Sequence, residues 1–396
     1  FKLPDKPSIA VLPFNNMSGD ASQDYLADGL SENIIAVLAT SPDLFVIARN
    51  SSFTYKGKAV KVQEVAEQLG VRYVLEGSVQ KSGEKLRVTA QLVDAVDGKH
   101  LWAERYDRKL DDLFAMQDEI TNKIFYEMHV KLTIGERAND WQKHFGDPEG
   151  MRLHMKGFDR FLTFTLDGHQ DAERIYGELY KKNPEGGMAN LDMGWIHWAK
   201  IVMGLTNDPK QSIKLGREFG EKAHAIMGDG GSLTLLAWFD LFEQDFESAT
   251  ENARRATEIS PSDGNTAAIA GTVFRNSGKP EESAILLKRA MRLQPYHPKW
   301  YAWQWGISLL VLEKYDEAEE VFEAVLKSDT EIVSDKYAAL AGLAVISVFR
   351  QNLENAEKYA SQLTELVVYG KKFNISVLAP IFGLMKDQEF AKRFLD

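Results

Sequence analysis

One loop of the sequence concentrates cations and hydroxyls without a carboxylate. It reads RNSSFTYKGKAVK over residues 49–61 and follows a short apolar run. Its candidate anion-binding residues are Arg49, Ser51, Ser52, Lys56 and Lys58. Backbone and hydroxyl donors beside such cations could bind an acidic ligand. The alternative is a solvated loop that Phe53 and Tyr55 anchor to the body of the domain, and no spacing within the loop decides between the two.

A second place to look for anion chemistry is the stretch SIAVLPFNNMSGDASQDYLADGLSENIIAVLA, residues 8–39. Its strand–loop–helix order is one in which loop N–H groups and a helix N-terminus often hold phosphate. The loop has Gly19 as its single glycine and no lysine, so it lacks the phosphate-binding and dinucleotide-binding patterns. Asp20 and Asp24 would repel an anion. We therefore interpret Gly19 as a turn residue and Asp20 or Ser22 as the helix cap.

Catalytic motifs are missing from the rest of the chain. None of the eight histidines belongs to an H-E-x-x-H pair, and there is no G-x-S-x-G, Walker A or EF-hand loop. The chain has no cysteine, which excludes disulfides and thiolate metal sites and suits a cytoplasmic protein. We expect this segment to be non-catalytic, with no catalytic residue, no metal and no cofactor.

The composition and net charge limit the classes of partner that this chain is expected to bind. The 396 residues carry a net charge of −11, and residues 1–132 hold 16 Lys and Arg against 19 Asp and Glu, so we expect no nucleic-acid binding by this segment. No apolar run approaches the roughly 20 residues of a membrane span, and we expect no membrane contact. The chain begins with Phe1 rather than Met. We expect it to be part of a longer protein.

The strands and helices that carry these loops are predicted to form, over residues 1–132, a mixed sheet covered by helices. Apolar runs at residues 8–14 and 44–48 indicate buried strands, and helices are expected over 23–40 and near 62–69, the second closed by Gly70. Three further strands are separated by Ser82-Gly83 and Asp97-Gly98, both hairpin signals. A long helix over residues 112–132 follows, and we expect it to lead out of the domain.

Long phrases of this region resemble a known family. They include PSIAVLPFNNMSGD, YLADGLSENI, FVIARNSSFTYKGK, LGVRYVLEGSVQKSGEKLRVTAQLVDA and GKHLWAERYDRKLDDLFAMQDEI. These are similar to the TolB amino-terminal-like domain of bacterial signalling proteins. They look most like the region between the catalytic domain and the repeats of soluble, rhizobial-type class III adenylate/guanylate cyclases. The resemblance implies a sheet domain that does not catalyse, and related domains also stand behind winged-helix transcription regulators.

From about residue 149 the chain repeats itself. FESATENARRATEISP (246–261) and PEESAILLKRAMRLQP (280–295) align without a gap, 34 residues apart, which is the tetratricopeptide period. Small residues allow two antiparallel helices to approach closely, and the proline after the second helix ends it. We predict six helix pairs, near residues 149–184, 187–228, 230–261, 264–295, 298–330 and 335–367.

The fold class predicted is therefore multidomain. The domains are a TolB-like α/β domain over 1–132, a helical linker over 133–148, an all-α tetratricopeptide solenoid over 149–370 and capping helices over 371–396.

In this repeat the first helix of each pair lines a concave groove. We take Gly271 and Gly306 as the small packing residues of their helices. The repeat pattern then identifies the positions that face the groove. They are Met188, Leu191, Trp195 and Trp198 in the second pair, Trp238 and Leu241 in the third, and Trp300, Trp303, Ile307 and Leu310 in the fifth. A polar stretch, Asn265, Thr272, Arg275 and Asn276, interrupts them in the fourth pair.

The predicted groove is apolar and aromatic, the composition of a surface that is meant to be covered. One interpretation is a groove for an amphipathic helix or for another copy of the chain as a homodimer. The alternative is that the rings are core, because a Trp at helical spacing often packs between helices. An intramolecular occupant, such as the helix over residues 112–132, would compete with an external one.

These observations support three hypotheses about function. The first is a regulatory interaction module, the C-terminal part of a class III adenylate/guanylate cyclase, which binds a protein or peptide partner or dimerises. The second is a ligand-sensing module of a winged-helix transcription regulator. The third, a free-standing enzyme, has no motif in its favour.

Overall fold

The structure, a computed structural model, describes residues 4, 6–41, 44–96, 98–127, 144–145, 147–295, 297–328, 332–368, 371–372 and 385–386. An α/β domain comes first in the chain, and a stack of tetratricopeptide helix pairs follows it. None of the described helices is both long enough and apolar enough to pass through a bilayer.

The α/β domain is built on a six-stranded mixed sheet with the order β3-β1-β4-β5-β6, and β2 pairs with β4. Its strands are β1 (Ser8–Val11), β2 (Asn15–Asn16), β3 (Phe45–Val46), β4 (Tyr73–Ser82), β5 (Lys85–Asp94) and β6 (Lys99–Lys109). The strands β1, β3 and β4 are parallel, while β4, β5 and β6 form an antiparallel meander. The Ser82-Gly83 hairpin is confirmed, with Gly83 at φ +60°.

Four helices belong to this domain: α1 (Asp24–Ala39), α2 (Arg49–Ser52), α3 (Val62–Leu69) and α4 (Leu113–Glu127). Successive side chains of a strand point to opposite faces of the sheet, and β1 shows both faces buried. Ile9 packs with α1 and α4, whereas Ala10 packs with α3 on the other face. The domain is therefore a three-layer α/β/α structure.

Two local predictions in this domain need correction, and two others are confirmed. The helix α4 does not lead away from the domain, because Leu113, Met116 and Ile120 are buried in the same cluster as the sheet. The apolar run at 44–48 contains only the two-residue strand β3, and α2 begins where a loop was expected. The helices α1 and α3 are confirmed, and Gly70 ends α3 at φ +65°.

The helical region contains six consecutive pairs. They are α5 (Pro148–Phe161) with α6 (Leu166–Lys182), α7 (Gly187–Val202) with α8 (Pro209–Met227), α9 (Gly230–Phe242) with α10 (Phe246–Ile259), α11 (Gly264–Asn276) with α12 (Pro280–Leu293), α13 (Lys299–Val311) with α14 (Tyr315–Lys327), and α15 (Val333–Phe349) with α16 (Leu353–Glu365). We call the first helix of each pair the inner helix and the second the outer helix.

Small residues allow the two helices of a pair to pack closely. Phe322 of α14 is fully buried, and its ring lies where a Cβ on Gly306 of α13 or on Gly342 of α15 would be, less than 3 Å away. Gly271 of α11 meets Leu287 of α12 in the same way. Several of the helices begin at a side-chain cap, such as Asp245, which accepts a hydrogen bond from the backbone N–H of Ser248.

The α/β domain packs against the helical repeats along a seam with two parts. In one part, Met151 and Met155 of α5 enter the hydrophobic cluster of the sheet, and Gly29 of α1 leaves room for Met151. In the other, Ser262 donates a hydrogen bond to the carbonyl oxygen of Leu44 at 2.6 Å.

Two predicted segments lie mostly or wholly outside the described residues. Within the linker prediction, 133–148, the structure describes only residues 144, 145, 147 and 148. Within the capping prediction, 371–396, it describes four residues, and Lys371–Lys372 is a strand paired with Val367–Val368 rather than a helix.

Candidate functional site

The inner helices of all six pairs line one groove-shaped cavity of about 640 Å³. Because the first helices of tetratricopeptide pairs face the same side of the stack, each one contributes a strip of its surface to this groove. The short helix α2 of the α/β domain contributes Asn50 to its wall. We call this space the inner cavity.

Eight of the predicted groove residues line the inner cavity: Met188, Leu191, Trp195, Trp198, Trp238, Trp300, Trp303 and Ile307. Three of them, Leu191, Trp238 and Ile307, are buried, and the other five are half-buried. Trp195, Trp198 and Trp238 also pack on one another while they face the cavity. Their use by a ligand or partner stays a prediction.

Three tryptophans form one aromatic wall. Trp195 and Trp198 meet with ring centroids 5.4 Å apart, and Trp198 and Trp238 meet at 5.5 Å, both close to edge-to-face. Edge-to-face contacts hold rings in a fixed orientation. The wall is therefore preformed without an occupant.

Four predicted groove positions lie elsewhere. Leu241 and Leu310 are fully buried in the packing between helices, because their positions on the helix point away from the cavity. In the polar stretch of the fourth pair, Asn265 and Thr272 line the cavity, but Arg275 and Asn276 do not. Arg275 is 2% exposed and donates to the carbonyl and side-chain oxygens of Gln304. Burial lowers the pKa of Arg275 to about 9.

A buried histidine–aspartate pair forms one polar end of the inner cavity. Nδ1 of His154 lies 2.8 Å from Oδ2 of Asp192. Burial alone would lower the pKa of His154, but the neighbouring carboxylate outweighs it and raises that pKa. Burial also raises the pKa of Asp192, against the opposing effect of His154. Both shifts favour keeping a proton in the pair, so Asp192 is neutralised locally.

Two more carboxylates reach the cavity. Asp335 accepts a hydrogen bond from Nε1 of Trp303 at 3.0 Å and is 3% exposed. Asp263 caps α11, accepting from the backbone N–H groups of Asn265 and Thr266, and burial raises its pKa. No lysine or arginine is among the described residues that line the cavity. The polar groups of this wall are thus acidic or neutral, apart from the paired His154 and from His297, whose pKa burial lowers.

The loop predicted as an anion site is arranged differently. Arg49 lies 2.7 Å from a carboxylate oxygen of Glu32, and Lys56 lies 2.5 Å from one of Asp28. Ser51 and Ser52 are buried within the short helix α2. Lys58 is exposed at the end of the loop. The five residues therefore do not converge on one point, and two of the three cations already have carboxylate partners.

Sequence reasoning missed several residues of the inner cavity, among them the histidine–aspartate pair. His154, Phe158 and Phe161 are spaced i, i+4, i+7 along α5, and all three line the cavity. Asp192 follows Met188 by four residues and precedes Trp195 by three, on the same face of α7. This helical spacing was the signal that could have placed them. Among the described residues, no group of three or more His, Asp or Glu is arranged to hold a metal ion.

Both regions of the chain are similar to known proteins. The family model described as HilA/YgeH-like transcriptional regulator, second domain, matches residues 5–123, and a tetratricopeptide repeat model matches residues 304–366. The protein named Putative adenylate cyclase 3 of Rhizobium meliloti (strain 1021) is 42% identical over 247 residues, 60% of this chain. The chain spans 41% of the length of that relative.

The solved structures that resemble this chain share little of its sequence. PilF of Pseudomonas aeruginosa is 14% identical, with 55% of this chain and 93% of that one covered and a TM-score of 0.38. A thermophilic TPR protein of Thermus thermophilus is 16% identical over 48% of this chain and 97% of that one, with a TM-score of 0.40. TolB of Acinetobacter baumannii is 21% identical over 32% of this chain and 29% of that one, with a TM-score of 0.25.

Proposed function

We propose that this chain is a non-catalytic regulatory and interaction module, the C-terminal part of a class III adenylate/guanylate cyclase acting in the cytoplasm. The observation that carries the interaction role is the inner cavity, to which every inner helix contributes. The cyclase setting is supported by the 42% identity with Putative adenylate cyclase 3. In this proposal the α/β domain is of the TolB amino-terminal-like kind.

The regulatory step would pass from the inner cavity to the α/β domain. The cavity wall includes Asn50 of α2, and the neighbouring Arg49 contacts both Glu32 of α1 and Asp159 of α5. An occupant that changes the spacing of these helices also changes how the α/β domain sits on the repeats. That domain would relay the change to catalytic domains outside this chain, which must pair to work.

The test uses the product of the whole reading frame that encodes this chain. We expect it to convert ATP or GTP to a cyclic nucleotide, and we expect this chain alone to convert neither. A Trp198→Ala, Trp303→Ala double variant of the whole product should change the rate or its response to a partner. Trp305→Ala is the matched control, because Trp305 lies on α13 outside the cavity lining.

Two results would count against the proposal. A whole product without cyclase activity would remove the cyclase setting, and turnover by this chain alone would remove the non-catalytic role. Light scattering on the chain separates a homodimer from capture of another protein or peptide. A folded double variant that still captures the same partner with unchanged affinity would remove the inner cavity as the binding surface.

A second candidate has its own support. The match of residues 5–123 to the second domain of HilA/YgeH-like transcriptional regulators favours a sensing module behind a DNA-binding domain. Specific DNA binding by the whole product, together with absence of cyclase activity, would decide for it. Binding of DNA by this chain alone is not part of either proposal, since its net charge is −11.

A further inference from the structure

We propose that the edge strand β6 pairs antiparallel with β6 of a second copy of this chain, with the two Tyr106 residues opposite each other. This names a surface for the self-association that the proposed function allows, and it rests on that function only for the consequence of pairing. Three features of β6 support it: its uncovered edge, its regular length and its charge pattern.

The two edges of the sheet are covered differently. Beside β3, the backbone N–H of Ala48 donates to the carbonyl oxygen of Leu293, and the guanidinium of Arg292 lies 4.8 Å from the ring centroid of Phe45. The helical repeats therefore cover that edge. At the opposite edge, β5 is the only strand that pairs with β6 within the described residues. An edge strand of this kind presents unpaired N–H and C=O groups to another strand.

The outward backbone groups of β6 follow from one hydrogen bond. The backbone N–H of Leu110 donates to the carbonyl oxygen of Glu84, the residue before β5. Backbone groups point towards and away from the neighbouring strand at alternate residues of an antiparallel pair. The N–H and C=O groups of the even-numbered residues over 102–110 therefore face β5. Those of the odd-numbered residues over 103–109 face outward.

The strand β6 is long for an edge strand. It has 11 residues, whereas strands usually have about five or six and exposed edges are commonly short or bulged. The bulge in its pairing with β5 skips Leu101, so residues 102–109 are in regular alternation. What protects this stretch is charge, because charged side chains on an edge reject strands that do not match them.

The charge pattern of β6 matches itself in one register. Residues directly opposite each other in an antiparallel pair lie on the same face, so a two-fold register is defined by the residue on its axis. With Tyr106 on the axis, Arg105 lies opposite Asp107 of the second copy, and Glu104 lies opposite Arg108. The two-fold symmetry makes each of these pairs occur twice.

Other registers of β6 on itself are poorer. Two like charges meet on the axis for centres at Glu104, Arg105, Asp107, Arg108 or Lys109. Like charges directly opposite each other destabilise a strand pair. Centres at Trp102 or Ala103 form no oppositely charged pair within residues 102–109. The register centred on Tyr106 is therefore the one that the charges select.

The carboxylates of this pattern are held ionised. Arg87 of β5 lies 2.6 Å from Asp107 and lowers the pKa of that carboxyl. Glu104 accepts hydrogen bonds from the indole N–H of Trp102 and the hydroxyl of Tyr106, and both lower its pKa. A carboxylate has about four lone-pair sites, so these contacts position it and leave acceptor sites for a cation of the second copy.

The backbone and the charges have different parts in the pairing. Each outward pair, such as Arg105 with Asp107 of the second copy, exchanges two backbone hydrogen bonds, which supply affinity. Ion pairs on a surface are weak singly, so here they select the register. The two sheets would join at their β6 edges, with the repeats on the outside. In the proposed function, this brings together two copies whose catalytic domains must pair.

The test measures self-association of this purified chain by sedimentation velocity, up to about 500 μM because edge pairing gives weak, transient dimers. We expect a dimer for the wild type. Arg105→Glu and Asp107→Lys each set like charges opposite each other, and each should weaken the dimer at least tenfold. Both side chains are at least half exposed, so the fold should tolerate either change.

Mixing the two variants is the sharper measurement. In a mixed dimer, Glu at 105 of one chain meets Lys at 107 of the other, and the unchanged Asp107 meets the unchanged Arg105. An equimolar mixture should therefore regain association close to that of the wild type. A variant that had merely lost structure would not be restored by mixing.

Two more variants separate charge from backbone. Lys99→Glu reverses a charge on the same strand outside the paired stretch, so it is the matched control and should associate as the wild type does. Ala103→Pro removes an outward N–H without changing charge, and proline is tolerated at such edge positions. It should weaken the dimer at least tenfold while circular dichroism shows the fold retained.

Several results would overturn the proposal. They are a wild type that stays monomeric throughout the series, a dimer that survives Arg105→Glu or Ala103→Pro, or two variants that do not restore each other. A surviving dimer would place self-association on another surface, such as the inner cavity. These outcomes are read on this chain alone, so they are separate from failure of the proposed function, which is read as cyclase activity of the whole product.

Discussion

The interior of the repeats and the seam with the α/β domain are held together in different ways. Inside the repeats, a large ring meets glycine within a pair and between neighbouring pairs, as Phe322 meets Gly306 and Gly342. At the seam, flexible methionines and single polar contacts join the two parts, as Met151 and Ser262 do. Close packing of rigid groups is sensitive to volume, whereas methionine adapts its shape.

This difference distinguishes a rigid scaffold, the repeats, from a movable joint, the seam. Interfaces between domains of one chain are usually more polar than a domain core, and relative motion is their ordinary behaviour. The seam adds Arg49, whose guanidinium lies over the rings of Phe53 and Phe158 while it pairs with Glu32. The repeats therefore hold the shape of the inner cavity, and the seam is where relative motion of the two domains would change the structure.

The largest effect is expected inside the repeats. Phe322→Ala removes a fully buried ring between two glycines, which cannot fill the space. We expect the free energy of unfolding to fall by about 3–5 kcal/mol. Urea denaturation followed by circular dichroism measures it. Ile285→Ala, at a residue 69% exposed on α12, is the control and should change little. A loss below about 1 kcal/mol for Phe322→Ala would contradict rigid packing.

The next effect is expected at the seam. Arg49→Met leaves Glu32, whose side chain is 22% exposed, without its cation and removes the contact with Asp159. We expect a loss of about 2–3 kcal/mol and faster hydrogen exchange in α2, because a half-buried carboxylate is left unpaired. Lys58→Met is the matched control, because Lys58 is exposed. Equal effects of the two variants would show that the seam does not depend on Arg49.

The pH dependence of the stability tests how His197 is packed in the interior of the repeats. His197 of α7 stacks on Phe219 of α8, and burial lowers its pKa from 6.5 to about 4, helped by Lys200 and opposed by Glu173. The unfolded chain thus takes up a proton near pH 6.5 that the folded chain refuses until about pH 4. Stability from this group is present above pH 6.5 and is lost as the pH falls towards 4.

Between pH 7 and pH 5 the loss from His197 should be about 2 kcal/mol. Denaturation of wild type and His197→Gln at both pH values measures it, and the variant should lose about that much less. His100→Gln, at an exposed position on β6, is the control. Parallel pH profiles for wild type and His197→Gln would show that His197 is not kept neutral by burial.

The smallest effect is expected for one hydrogen bond of the seam. Ser262→Ala removes the donor to the carbonyl oxygen of Leu44. We expect a loss of about 1 kcal/mol, the usual net value of such a bond when its acceptor stays buried. Denaturation compared with Ser361→Ala, at an exposed residue of α16, measures it. A loss as large as that of Phe322→Ala would erase the distinction between scaffold and joint.

The sequence predicted the repeats well because the residues that determine their packing are close to one another in the chain. The spacing of small residues and prolines, such as Ala256 and Ala290, recurs every 34 residues and sets the packing of each pair. The eight aromatic and aliphatic lining residues followed from the same register. The hairpins followed from Gly83 and Gly98, which both have positive φ.

The features that the sequence did not predict depend on contacts between distant parts of the chain. No local pattern shows that Arg49 meets Asp159, or that the backbone of Ala48 bonds to Leu293. The loop at residues 49–61 therefore looked like a free cluster of cations, although its partners lie in α1 and α5. The helix α4 also packs back onto the sheet, because its apolar face finds the covering that the sheet needs.

Asn50 gives the inner cavity a wall from each of two domains, and this has a thermodynamic consequence. A ligand that touches both domains binds only while they are together, so its concentration sets how firmly they are held. At one hundred times its dissociation constant it contributes about 2.7 kcal/mol, comparable to the expected loss from Arg49→Met. Such a ligand would thus hold the two domains together reversibly, to an extent set by its concentration.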